Sequence, residues 1–164
     1  MKGFYRIGVM AALATVSAVA LSQGAGGPPS PEAQAKSAIE TRQGLFKLLA
    51  NQNGPITAML LRNTRELDAA VVARNAERMQ TLAGMIPELF ALDTRQFKDI
   101  KTAALDGIWT GSADFKAKAD AMANYAGALA AAAKTGDKDA MKKAAQDLGP
   151  KGCGGCHDNY RVKQ

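Results

Sequence analysis

The chain has 164 residues, 47% hydrophobic and 22% charged, which suits one soluble domain with its own core and excludes a disordered chain. Basic residues outnumber acidic ones 21 to 15, for a net charge of +6. They are spread along the chain, so no nucleic-acid partner is expected; a mildly basic surface suits docking to an acidic redox partner, or is ordinary solvated charge.

Lys2 and Arg6 precede an apolar run from Ile7 to Leu21, and Ala18-Val19-Ala20 has the form read by a signal peptidase. Residues 1–22 are therefore read as a signal peptide, cut between 20 and 25. The run is short for a membrane span, which needs about 20 apolar residues, so no stable membrane insertion is expected after cleavage. Loss of Lys2 and Arg6 leaves a net charge of +4. A Gly/Pro/Ser-rich leader over 23–31 follows, then a domain over 32–164.

Abundant Ala and only 5% aromatic residues favour helix throughout. Ser30 is a good N-cap, Pro31 suits the first helical position and Glu32 complements the dipole. The first helix carries Ala35, Ile39, Phe46 and Leu49 at helical spacing. Gly54-Pro55 bends it, and Ile56, Met59 and Leu60 continue its apolar face. Asp68 caps a second helix with Val72, Ala76, Met79, Ala83 and Ile86 on one side, ended by Pro87. The irregular stretch from Pro87 to Gly111 reads as a long crossover. Ser112 is the expected cap of a third helix striped by Phe115, Ala119, Met122, Ala126, Leu129 and Ala133, stopped by Gly136. Asp137 caps a fourth, with Met141, Ala145 and Leu148, which Gly149-Pro150 disturbs. Four amphipathic helices predict an all-α, antiparallel four-helix bundle.

Cys153-Gly154-Gly155-Cys156-His157 carries the chemistry. A C-x-x-C-H string in an exported protein reads as c-type haem attachment. On a helix, residues three and four apart share a face, so both thiols reach one porphyrin edge and the imidazole of His157 can turn to the iron. A zinc site would need about four ligands, and the chain has 2 Cys and 1 His. A thioredoxin-like dithiol expects a βαβ pattern, which is missing. A plain disulfide stays open in an oxidising compartment, but one covalent haem c through Cys153 and Cys156, near the C-terminus, is favoured. As His157 is the only histidine, no second one can ligate the iron. No acid, base or nucleophile is positioned around the motif, so no enzymatic role is expected.

From about Glu32 to Lys163 the chain resembles the cytochrome c′ family, the class II c-type cytochromes. The C-terminal Cys-Gly-Gly-Cys-His-Asp-Asn-Tyr-Arg string carries most of the resemblance. Arg42-Gln43-Gly44-Leu45-Phe46-Lys47 is similar to the part of the family's first helix that lies over the haem. Ile108-Trp109 and Asp114-Phe115-Lys116 are similar to the start of its third helix. The resemblance implies thioether anchors at Cys153 and Cys156 and a proximal ligand at His157. It places Arg161 beside that imidazole, Arg42 and Gln43 near the propionates or polar edge, Phe46 on the distal face and Met122 in the pocket wall. Read without it, Arg42 is a solvent-facing helix residue with a buried stem, Phe46 plain core, Arg161 a cation at a helix C-terminus, and Met122 and Met59 core filler.

Axial ligation sets the chemistry. Some relatives in this class place a Met where Phe46 stands. A phenyl ring has no lone pair to donate, so the expectation is a five-coordinate, high-spin iron that binds nitric oxide or carbon monoxide, carries electrons, or does both. The alternative is a six-coordinate, low-spin carrier with a Met ligand. The resemblance also suggests a homodimer through the first two helices; the signal peptide over residues 1–22 leads to an expected periplasmic location.

Overall fold

Ser30 starts the bundle. Its Oγ accepts the Ala33 N–H at 3.2 Å, Pro31 follows at the first position, and helix α1 runs Pro31–Ile56. The computed structural model describes residues 27–163; the expected signal peptide and residues 23–26 of the leader lie outside them. Pro55 sits inside α1 without breaking it, and a π-helical segment, Thr57–Leu61, follows directly. A proline lacks the N–H for its turn and crowds the carbonyl four residues back, so a wider turn accommodates it. Asn75 of the next helix is buried and donates its Nδ2–H to the Gln52 carbonyl at 3.2 Å, tying that helix to α1 just before Pro55.

Helix α2 (Ala69–Gly84) is capped by Asp68, whose Oδ1 accepts the Val71 N–H at 3.0 Å. It ends at Gly84, ahead of Pro87; the proline instead lies in the first turn of a short helix, α3 (Ile86–Leu89), where its fixed φ is already helical. The crossover continues to a single turn, α4 (Gly107–Thr110). Helix α5 spans Ser112–Thr135. Ser112 is not its cap: Gly111 holds that position, no side chain accepts there, and the Gly111 carbonyl takes the Phe115 N–H at 3.0 Å. Gly136 ends α5 with φ +75°, a conformation that glycine adopts without a Cβ penalty. Asp137 then caps α6 (Lys138–Asp147), accepting the Asp139 and Ala140 N–H groups. Beyond it the Gly149-Pro150 pair lies in a second π-helical segment, Leu148–Gly154, that leads into α7 (Gly155–Tyr160).

The four long helices make an antiparallel bundle with one core. α2 and α5 share the broadest contact, α1 packs on α2, and α6 packs on α5 and on the 57–61 segment. All the stripe positions expected on α2, α5 and α6 are buried. Each fully buried Val, Leu or Met contributes about 1.5–3 kcal/mol relative to exposure. On α1 the core place expected for Phe46 belongs to Leu45, while Phe46 remains 38% exposed. Arg42 shares the inner stripe with Ala35, Ile39, Leu45 and Leu49. Among the described residues no helix is long and apolar enough to cross a membrane.

Candidate haem site

The segment that carries the motif begins at the second π-helical stretch. Gly152 is buried there, and a Cβ on it would meet Leu148 Cδ1 at 3.0 Å and Met122 Cα at 3.6 Å. The bare backbone thus lies directly on α5 next to Met122, which is itself buried. The next residue, Cys153, still belongs to the π-helical stretch, whereas Cys156 and His157 stand on α7. Both cysteines are free thiols, half-buried against the hydrophobic cluster. Burial pushes both thiols above their ordinary pKa; for Cys156, nearby Lys118 opposes the shift while Asp114 and Cys153 add to it.

His157 is half-buried. Burial first, then the positive charge of Arg161, lowers its pKa against the opposing pull of Asp158. The imidazole is thereby held toward its neutral form, the one that ligates metals. Arg161 acts from the end of the helix: α7 ends at Tyr160, and Arg161 is its exposed, extended C-cap. Its backbone bridges to Ala104 of the crossover, with the Val162 N–H donated to Ala103 O at 2.9 Å.

Arg42 is not solvent-facing. It is 3% exposed, and Nε, Nη1 and Nη2 donate to Leu89 O at 2.8 Å, Thr94 Oγ1 at 2.9 Å and Leu92 O at 2.6 Å. Its guanidinium also lies over the Phe90 and Trp109 rings. Burial lowers its pKa and Asp93 raises it; a guanidinium stays charged throughout. Gln43 is exposed and donates to Lys101 O at 3.4 Å.

The aromatic rings link these parts. Phe46 stands 6.3 Å from Phe90, Phe90 5.1 Å from Phe115, and Phe115 5.2 Å from Tyr160, centroid to centroid. Trp109 flanks Phe90 and donates its indole N–H to Phe90 O at 2.9 Å. Phe46 on α1 and the motif on α7 therefore terminate one continuous run of rings. Sequence reasoning missed Phe90, Thr94, Gly152 and the Asp114–Tyr160 pair. Only the position of Arg42 on an apolar stripe signalled that a buried polar partner such as Thr94 was needed.

Two neighbouring thiols, one imidazole biased to neutral and an apolar, aromatic surround fit a porphyrin fixed by two thioethers. Among the described residues no three His, Cys, Asp or Glu side chains gather as a set able to hold a bare metal ion. A helical bundle with such a C-terminal motif defines a class II c-type cytochrome.

The comparisons with known proteins agree. Residues 37–161 match the profile of the family described as Cytochrome C'. Cytochrome c' of Rubrivivax gelatinosus is 38% identical over 126 residues, covering 77% of this chain and 95% of that protein. The solved cytochrome c prime of Shewanella frigidimarina superposes with a TM-score of 0.70 at 36% identity, covering 79% of this chain and 97% of that one. A nitric oxide complex of a variant cytochrome c prime from Alcaligenes xylosoxidans superposes with a TM-score of 0.69 at 32% identity, over 79% and 97% of the two chains. This chain belongs to the cytochrome c′ family, and its cofactor is haem c, bound covalently through Cys153 and Cys156.

Proposed function

We propose that this is a periplasmic haem protein whose iron is held by His157 alone among its side chains, and that it binds nitric oxide or carbon monoxide at the open position and passes single electrons at the haem edge. Haem c supplies an iron that changes oxidation state and coordinates diatomic gases. The protein supplies the two thiols, the axial imidazole and the apolar wall. Arg161 adds a positive charge near that imidazole. Arg42 and Gln43 hold the neighbouring crossover. No acid–base or nucleophilic catalysis is assigned to it.

The observation that carries this reading is Phe46. The residue on α1 that the family places over the haem has no donor atom, and its ring packs toward another phenyl, Phe90. Of the two candidate thioethers, Met59 is engaged elsewhere, its Sδ accepting the Asp68 N–H at 3.4 Å, while Met122 packs on Gly152 beside Cys153 and is the side chain a Met-ligated alternative would use. The nitric oxide complex of the Alcaligenes protein supports the choice of ligand. The outer face of α1 and α2, where Leu48 is 54% exposed and Leu82 lies alongside, is the face proposed for a homodimer.

Optical spectra of the resting ferric and dithionite-reduced protein, with a carbon monoxide titration, test the proposal. High-spin spectra that convert on carbon monoxide addition are expected. Low-spin spectra in both oxidation states, with no response to the gas, would establish the Met-ligated carrier instead.

A further inference from the structure

Helix α7 carries Cys156 and His157 yet has little to hold it. It is six residues long and none of them is buried. A helix that short is not stable alone, and it is entered through Gly154 and Gly155. With haem bound, a thioether at Cys156 would tie the first half of α7 to the porphyrin and one at Cys153 the stretch before it, but both would leave the direction of the far end open, and with it the direction of the His157 ring. That end is the one place where α7 is bound to the rest of the protein from several sides. The Tyr160 hydroxyl donates to Asp114 Oδ2 at 2.6 Å. Its ring stands edge-on to Phe115 at 5.2 Å between centroids. It also lies against the Gly107 and Gly111 backbone, where added Cβ atoms would come within 3.6 and 3.5 Å of it. Its carbonyl accepts the Leu105 N–H at 3.0 Å. Hydrogen bonds to ionised carboxylates are the strong ones, and this one spans 46 residues of sequence.

We propose that Tyr160, through its hydrogen bond to Asp114, is the positioning residue for His157: it fixes the C-terminal end of α7 and so sets the orientation in which the imidazole meets the iron. Tyr160 lies three positions after His157, on the same side of the turn, so a tilt of the helix end is transmitted directly to the imidazole. The inference rests on His157 being the axial ligand.

The test uses the haem-loaded protein and the variants Y160F, D114A, D114N and H157A. Two quantities are read besides thermal stability: amide hydrogen exchange over residues 155–160, and the iron–histidine stretching band of the ferrous protein by resonance Raman. Y160F and D114A should each speed exchange at least about tenfold, the equivalent of one hydrogen bond to a charged group, and should shift or broaden the band, with the covalent haem still present by mass. D114N keeps an acceptor oxygen and should restore both readouts toward wild type. Unchanged exchange in Y160F overturns the latch. Faster exchange with an unmoved band, or a lower melting temperature alone, shows that Tyr160 is only packing and overturns its positioning role. If the band survives in H157A, the ligand assignment itself has failed, and the positioning role fails with it.

Discussion

The guanidinium carbon of Arg42 lies 4.6 Å from the centroid of the Phe90 ring, so the one charge on the inner stripe of α1 is covered by an aromatic face while its N–H groups reach Leu89, Leu92 and Thr94. Burying an unpaired guanidinium would be prohibitive. Here the charge is spread over two carbonyls, a hydroxyl and π faces, and the crossover is fastened to α1 at the point where Phe90 enters the ring series.

Arg42→Ala should therefore act on stability before it acts on the haem. It removes three hydrogen bonds to a charged group and leaves part-buried acceptors open, a loss of about 2–4 kcal/mol, measured by urea unfolding of the haem-loaded protein. Arg42→Lys should recover less than half, because an ammonium cannot serve the three directions of the fork. A spectrum and potential that change while stability holds would instead assign Arg42 mainly to the haem edge.

Gly152→Val should disturb the motif. The first carbon beyond Cα would already stand 3.0 Å from Leu148 Cδ1, and Leu148 is itself 1% exposed within the core. Overpacking of this kind costs about 1–3 kcal/mol. Haem content per chain, from intact mass and absorbance, should fall, and Gly152→Ala should lie between the variant and wild type. Equal haem content in all three would show that the π-helical segment tolerates the bulk.

The hydrogen bond to Asp114 raises the Tyr160 phenol to about 12, above the ordinary tyrosine value near 10. The folded state therefore keeps a proton that the unfolded chain has already lost between those values, so stability falls with rising pH across that window. The contribution is fully present below pH 10 and is lost as pH passes about 12. Wild-type minus Tyr160→Phe absorbance titrations at tyrosinate wavelengths should place this group at the late end, and the variant should be less sensitive to alkaline unfolding over the same range. An ordinary, early titration of Tyr160 would refute the bond.

Local chemistry was legible in the sequence and distant chemistry was not. Ser30, Asp68 and Asp137 cap helices because each needs only the N–H groups two or three residues on, and Gly136 stops α5 by its own backbone. The stripes of α2, α5 and α6 read correctly because burial there is a matter of period. Ser112 misled because Gly111 took the cap position beside Tyr160. The partners of Arg42 lie 47 to 52 residues away, and that of Tyr160 lies 46 away; no local pattern encodes them. Both Gly-Pro pairs signalled irregular helix, but not its form: Gly54-Pro55 stays inside α1 just ahead of a π-helical segment, whereas Gly149-Pro150 lies within one. Arg161 caps α7 in extended backbone and bridges to Ala104 of the crossover, a pairing that no local pattern encodes.

Phe46 offers a test in which two substitutions should move one quantity in opposite directions. Arg42 and Phe46 are four apart on α1, one turn from each other, yet one is buried and bonded to the crossover while the other is 38% exposed at the edge of the ring series. The difference in burial separates them: Arg42 is bound into the frame, while Phe46 keeps an exposed edge, as its proposed place over the cofactor requires. Phe46→Met places a flexible thioether, a recognised axial partner of histidine, where the phenyl ring stood. The iron should shift toward six-coordinate low-spin, and carbon monoxide should bind more weakly because it must displace the sulfur. Phe46→Ala removes bulk without supplying a donor, so carbon monoxide should bind more tightly while the resting spectrum stays high-spin. Carbon monoxide titrations of the three proteins should order them with Ala tightest, wild type next and Met weakest. If all three titrate alike with unchanged spectra, Phe46 does not face the iron, and Met122, buried beside Gly152, becomes the side chain to replace next.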